Sequence, residues 1–216
     1  MKHLRPGPVR SVAVLGAHCD DIAIGAGGTL LRISTANPGL TVHALVLTGG
    51  GTARATEEWA ALTAFCPEAK VELTVLDLPD GRIPANWAAA KQAVEDLRTR
   101  IDPDVVFAPS AGDAHQDHRV LAELVPTAFR DHLVLGYEIL KWDGDLGQPT
   151  CYLPLTEELA RRKVALLHEH YPSQAARDWF DDESFLGLAR LRGVQCRSRY
   201  AEAFFGDKFV LDLGGE

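Results

Sequence analysis

Residues 11–28 read SVAVLGAHCDDIAIGAGG, and this stretch decides the fold. Ser11 to Ala17 is a run of small and β-branched apolar residues. It is long enough for one buried strand and too short for a membrane span or a signal-peptide core. The run leads straight into His18, Cys19, Asp20 and Asp21, so a strand delivers polar, metal-type side chains at its carboxyl end. Gly25, Gly27 and Gly28 follow. A helical pattern over Gly28–Thr35 then stops before the turn signal Asn37-Pro38-Gly39.

The alternation continues outward from there. Strands are expected at Val42–Leu47, Val71–Leu76 and Val105–Ala108, and helices at Thr56–Phe65 and Trp87–Arg100. This order predicts βαβ units, an α/β fold with a mostly parallel sheet and helices on both faces. The second half is less regular. It suggests a helix at His118–Phe129, a strand at Leu133–Ile139 and a helix at Thr156–His168 capped by Thr156. Trp179–Cys196 is expected to be helical in part, and Phe209–Leu213 to form a last strand. No linker or repeat divides the chain, so residues 1–216 are expected to form one domain.

The formal net charge of −8 argues against a nucleic-acid backbone or an anionic membrane as the main partner. No targeting segment is apparent, and a cytoplasmic protein is expected. Cys19, Cys66, Cys151 and Cys196 are scattered without a C-x-x-C pair, which points to thiols rather than a disulfide framework.

In open parallel sheets ligands bind beyond the carboxyl ends of the strands. Two such ends carry clusters: His18-Cys19-Asp20-Asp21 and, after the strand at Val105–Ala108 and a loop, His115-Gln116-Asp117-His118. A catalytic zinc takes about three protein ligands and keeps one position open. His18, Asp21 and one histidine of the second cluster supply two imidazoles and a carboxylate. Asp20 is then free to act as general base, and the other histidine to stabilise an oxyanion or protonate a leaving amine. Asp117 can hold a histidine in its working tautomer. A dinucleotide site is disfavoured, because the glycines do not follow G-x-G-x-x-G and no G-K-[ST] is present. Two histidines with one carboxylate also match the facial triad of non-haem iron oxygenases.

Together the two motifs resemble those of the PIG-L/LmbE-like zinc-dependent N-acetylglucosaminyl deacetylases. That family's first motif is A-H-P-D-D-E-x-x-G-x-G-G and its second H-P-D-H or H-x-D-H. Leu78-Pro79-Asp80-Gly81 and Tyr200–Phe204 extend the likeness. The resemblance implies a Rossmann-like fold and Zn2+ held by His18, Asp21 and His118. It further implies Asp20 as general base, His115 as oxyanion stabiliser or acid, and Asp117 as the residue that orients a histidine, expected to be His115. The substrate it implies is a small-molecule N-acylated amino sugar or glycoside, and it is compatible with a homo-oligomer. Two positions depart from the motif: Cys19 replaces the proline and Ile22 the glutamate. A thiolate at Cys19 would compete as a ligand, whereas a buried thiol would only fill the proline's space.

Two further residues are candidates for substrate contact. Arg54 follows the Gly49-Gly50-Gly51 run on the ligand side of the sheet, where it can bind substrate or pair with Glu57 or Glu58. Asp80, in a Pro-Asp-Gly turn, can accept from a sugar hydroxyl or serve the turn alone. Trp142 and Trp179, in irregular segments, are candidates to stack on a sugar ring. Other classes weighed are a deacylase of a non-sugar amide or natural-product intermediate, and a non-catalytic binding protein.

Overall fold

The structure is a computed structural model that describes residues 7–208 and 210. Its strands are β1 (Ser11–Gly16), β2 (Thr41–Thr48), β3 (Lys70–Leu78), β4 (Val105–Pro109), β5 (Leu133–Tyr137), β6 (Cys151–Leu155) and β7 (Tyr200–Phe205). Its helices are α1 (Asp21–Ala36), α2 (Ala53–Phe65), α3 (Trp87–Arg100), α4 (Gln116–Ala128), α5 (Glu157–His170) and α6 (Asp182–Cys196). The strands form one seven-stranded sheet in the order β3-β2-β1-β4-β5-β7-β6. β1 to β5 pair in parallel, and β7 runs antiparallel to both β5 and β6.

Because side chains alternate across a strand, a sheet covered on both faces is apolar at every position. β1 shows this: Val12 and Val14 enter one core with α1, α2 and α5, while Ala13 and Leu15 enter a second with α3 and α4. The strand order reverses between β1 and β4, whose carboxyl ends flank a crevice. Both sequence motifs stand at that crevice.

The helix expected from Gly28 begins at Asp21, inside the motif itself. Gly25, Gly27 and Gly28 are therefore helical, and they serve close packing. A Cβ on Gly25 would lie 2.1 Å from the Tyr137 ring, one on Gly27 2.7 Å from Phe65, and one on Gly28 2.6 Å from Leu155. Thr156 caps α5 as expected, accepting from Leu159 N at 3.2 Å. β6 and β7 were not anticipated. The strand expected at Phe209–Leu213 lies, apart from Val210, outside the described residues. No helix among the described residues is long and apolar enough to cross a membrane.

Candidate metal centre

β1 ends at Gly16, and the chain turns through His18 into α1. Asp20 is the N-cap of α1 at φ 123°, a backbone region costly for any residue but glycine. Its carboxylate makes no capping bond and instead receives Arg54, whose Nη2 lies 3.0 Å from Asp20 Oδ2. Asp21, the first helical residue, accepts from the backbone N–H of Ala17 and of His18 at 2.9 Å each. From the other strand end, His115 caps α4, and Asp117 and His118 occupy its first turn.

Three donors converge. His18 Nδ1 lies 3.0 Å from His118 Nε2 and 3.6 Å from Asp21 Oδ2, and His118 Nε2 lies 3.3 Å from Asp21 Oδ2. Ligands on a tetrahedral zinc at 2.0–2.2 Å stand about 3.4 Å from one another, so the triangle fits that ion. The far nitrogen of each ring faces a carboxylate: His18 Nε2 is 3.2 Å from Asp117 Oδ2 and 3.1 Å from Asp80 Oδ1, and His118 Nδ1 is 3.0 Å from Asp113 Oδ2. The hydrogen bond to Asp117 keeps a proton on His18 Nε2 and turns the Nδ1 lone pair toward the centre, and Asp113 stands close enough to His118 Nδ1 to favour a proton there. Three electron-rich atoms thus meet in a buried space that requires positive charge.

The electrostatics of the site point the same way. Burial opposes a charge on His18, but the carboxylates of Asp21, Asp117 and Asp80 outweigh it and push the ring up to about 12. Burial likewise opposes a charge on His118, but Asp21 and Asp113 raise it to about 9. Against its own burial, Asp21 is held well below the usual carboxylate range by the His118 and His18 rings. Asp20 moves the other way, raised by burial and by the charge of Asp21.

His115 stands just outside the triangle, its ring centroid 4.8 Å from that of His18 and 4.7 Å from that of His118. Burial and the two neighbouring rings lower its pKa. Its Nδ1 accepts from Asp117 N at 3.3 Å, which places the proton of the neutral ring on Nε2. Asp117 was expected to orient His115; its carboxylate turns instead to His18 and accepts from Gly81 N at 2.8 Å and Ile83 N at 3.1 Å. Gly81 holds this turn at φ 72°, the left-handed region that glycine tolerates. Asp80, in the same turn, reaches the site.

The departures from the motif have plain structural readings. Cys19 is 2% exposed and its thiol points to Thr48 O at 3.5 Å; burial pushes it up to about 12, so it remains a thiol. Ile22 is fully buried in the core. Arg54 makes one of the pairings expected of it, its Nε lying 3.5 Å from Glu57 Oε2, and its Nη2 adds the contact with Asp20.

Sequence reading missed two residues. Asp113 accepts from His115 N at 2.8 Å and meets Lys141 Nζ at 3.0 Å besides facing His118. An acid placed two residues before a histidine motif was its only signal. Glu58, beside Glu57 in a helix, is wholly buried; it accepts from Tyr171 OH at 2.8 Å, and its Oε1 has no hydrogen-bond partner among the described residues. Burial pushes Glu58 up to about 8. A carboxyl whose folded pKa lies above its unfolded value contributes most below the unfolded pKa, and loses that contribution as pH rises to the folded one. Glu58→Gln is therefore expected to gain stability over wild type from about pH 4.5 to pH 8, by at most about 1.4 kcal/mol per pH unit. Urea unfolding across this range checks it; parallel pH curves for the two proteins would contradict it.

The loop after β5 borders the centre, because Lys141 reaches Asp113. The next residue, Trp142, is 64% exposed yet fixed: its Nε1 donates to Asp178 Oδ1 at 2.6 Å, and Arg177 lies 5.4 Å over its ring. The histidines His43, His132 and His168 pair with Glu72, Asp102 and Asp182, away from the centre.

The PIG-L family model, described as GlcNAc-PI de-N-acetylase, matches residues 13–129, more than half of the chain and all of both motifs. This chain belongs to the PIG-L family. This PIG-L member is 28% identical over 174 residues to the uncharacterised deacetylase YaiS of Escherichia coli (strain K12), covering 74% of this chain and 90% of that one. Its fold is similar to that of the N,N'-diacetylchitobiose deacetylase of Pyrococcus horikoshii. There the TM-score is 0.71 at 21% identity, over 92% of this chain and 84% of the other. It is equally similar to GalB, the 4-carboxy-2-hydroxymuconate hydratase of Pseudomonas putida KT2440. In that case the TM-score is 0.74 at 20% identity, over 95% and 100% of the two chains.

Proposed function

We propose that this PIG-L member is a zinc-dependent hydrolase that removes an N-acyl group, an acetyl group in the first place, from an amino sugar or glycoside. The observation that carries the reading is the triangle of His18, Asp21 and His118 with the unused carboxylate of Asp20 beside it. Fold alone does not choose the reaction, since a hydratase shares it; the choice rests on family membership and on this donor set.

Zinc held by His18, Asp21 and His118 would polarise the amide carbonyl and acidify water. Asp20 is raised by burial and steadied by Arg54, so it can take a proton near neutral pH. His115 presents an Nε2–H that can hydrogen-bond to the developing oxyanion, and the proton that Asp20 takes from the water is then available to the leaving amine. Asp117 and Asp113 hold His18 and His118 in the tautomers that aim their free lone pairs inward. Arg54 and Asp80, both at the mouth of the site, are the residues to meet the hydroxyls of the substrate. Trp142, held open on the neighbouring loop, offers a face for a sugar ring.

Acetate release from a panel of N-acetylated mono- and disaccharides tests the reading, with metal content measured in parallel. Turnover is expected with about one zinc per chain, to vanish on chelation and to return with zinc, equally with and without oxygen. Turnover in metal-stripped protein, or a requirement for oxygen, would overturn the hydrolytic zinc mechanism.

A further inference from the structure

Glu202 and Lys163 form a buried pair far in sequence from both motifs. Glu202 is on β7 and Lys163 on α5, and the two are 5% and 9% exposed. Glu202 Oε1 accepts from Lys163 Nζ at 2.7 Å and from Gly28 N at 2.8 Å. Its Oε2 accepts from the N–H and the hydroxyl of Thr29 at 2.6 Å each. Lys163 Nζ also donates to Ile24 O at 2.6 Å. In a regular α-helix Gly28 N–H donates to Ile24 O and Thr29 N–H to Gly25 O. The pair therefore engages both ends of one rung of α1, and the donor of the next.

The place of this wedge matters more than its strength. Buried ion pairs are often replaced by apolar residues with no loss of stability, so fold stability alone is a weak reason for one here. Gly28, which the wedge holds, lies seven residues beyond Asp21, about 10 Å along the helix. A tilt of about 3° there moves Asp21 by about 0.5 Å, the tolerance of a preorganised site. The same turns of α1 are fixed against Tyr137 and Leu155 at Gly25 and Gly28, where no Cβ fits.

We propose that Lys163 and Glu202 are positioning residues. By engaging the α1 ladder at Ile24, Gly28 and Thr29 they set the first turn of the helix, and with it the metal affinity of the Asp21–His18–His118 centre. This rests on the reading of that centre as a zinc site.

The test is a Lys163→Met/Glu202→Met double variant beside each single variant, read by three measurements. These are melting of the metal-free protein, zinc affinity by chelator competition, and hydrogen exchange of the α1 first-turn amides without metal. Each single variant leaves one buried charge unpaired and is expected to melt lower. The double variant is expected to recover most of the melting temperature, yet to bind zinc about 10-fold or more weakly and to exchange faster at Asp21–Ile24. A folded double variant with wild-type zinc affinity and wild-type exchange overturns the proposal. Should the double variant not fold, Glu202→Gln takes its place, with weakened zinc binding expected and unchanged binding overturning the proposal. Wild-type protein that binds no zinc would instead remove the metal reading itself, while the exchange measurement still reports on the wedge.

Discussion

A His118→Ala variant is expected to purify with almost no bound metal, where the wild type is expected to hold about one zinc per chain, and to lose all measurable acyl release. Two remaining donors, His18 and Asp21, would leave zinc one protein ligand short of the usual three. The fold should survive the change. Asp113, which faces the lost ring, keeps Lys141 at 3.0 Å and the His115 N–H at 2.8 Å, so no buried carboxylate is stranded. Asp21 keeps the N–H groups of Ala17 and His18. Metal analysis after dialysis, beside a melting curve, checks both statements. The three imidazoles of His18, His115 and His118 lie close enough together to hold a metal as a set, so His115→Ala is the companion measurement. It should keep zinc and lose activity. The opposite pair of results, metal retained without His118 and lost without His115, would make His115 the ligand.

The first half of the chain could be read so closely because its structure is local. β1, β2 and β4 are mostly apolar runs, β3 alternates apolar with polar residues, and α3 begins and ends at the residues its pattern predicts. The two clusters were legible for the same reason: in a parallel sheet, whatever follows a strand stands at the ligand edge. What could not be read depends on contacts between distant segments. β6 contains Pro154 and takes an edge position, where a proline is tolerated but breaks the strand pattern. β7 carries Glu202 in its middle, a residue that argues against a buried strand until Lys163 and the N–H groups of α1 are brought to it. Gly25 and Gly27 fell outside the expected helix because their spacing alone says nothing of the Tyr137 and Phe65 side chains that press on them. Asp113 and Glu58 were passed over as ordinary acids; only burial, which belongs to the folded chain, sets them apart.

Asp20→Asn is expected to lower kcat by about 10²- to 10⁴-fold while leaving zinc content and KM close to wild type. Asparagine has the same shape, tolerates the positive φ of this position at least as well as aspartate, and still offers an oxygen to Arg54. It cannot accept a proton. Stability should move in the opposite direction to activity. Burial and the adjacent Asp21 make ionised Asp20 costly, which is why its pKa is raised, and a neutral amide removes that cost. The metal-free variant is therefore expected to melt no lower than wild type at pH 8, where the native carboxylate is charged. A residue whose replacement stabilises the fold and removes turnover is held in place by chemistry, not by packing. A kcat within tenfold of wild type would show that Asp20 is not the base, and a loss of zinc would show that it belongs among the ligands.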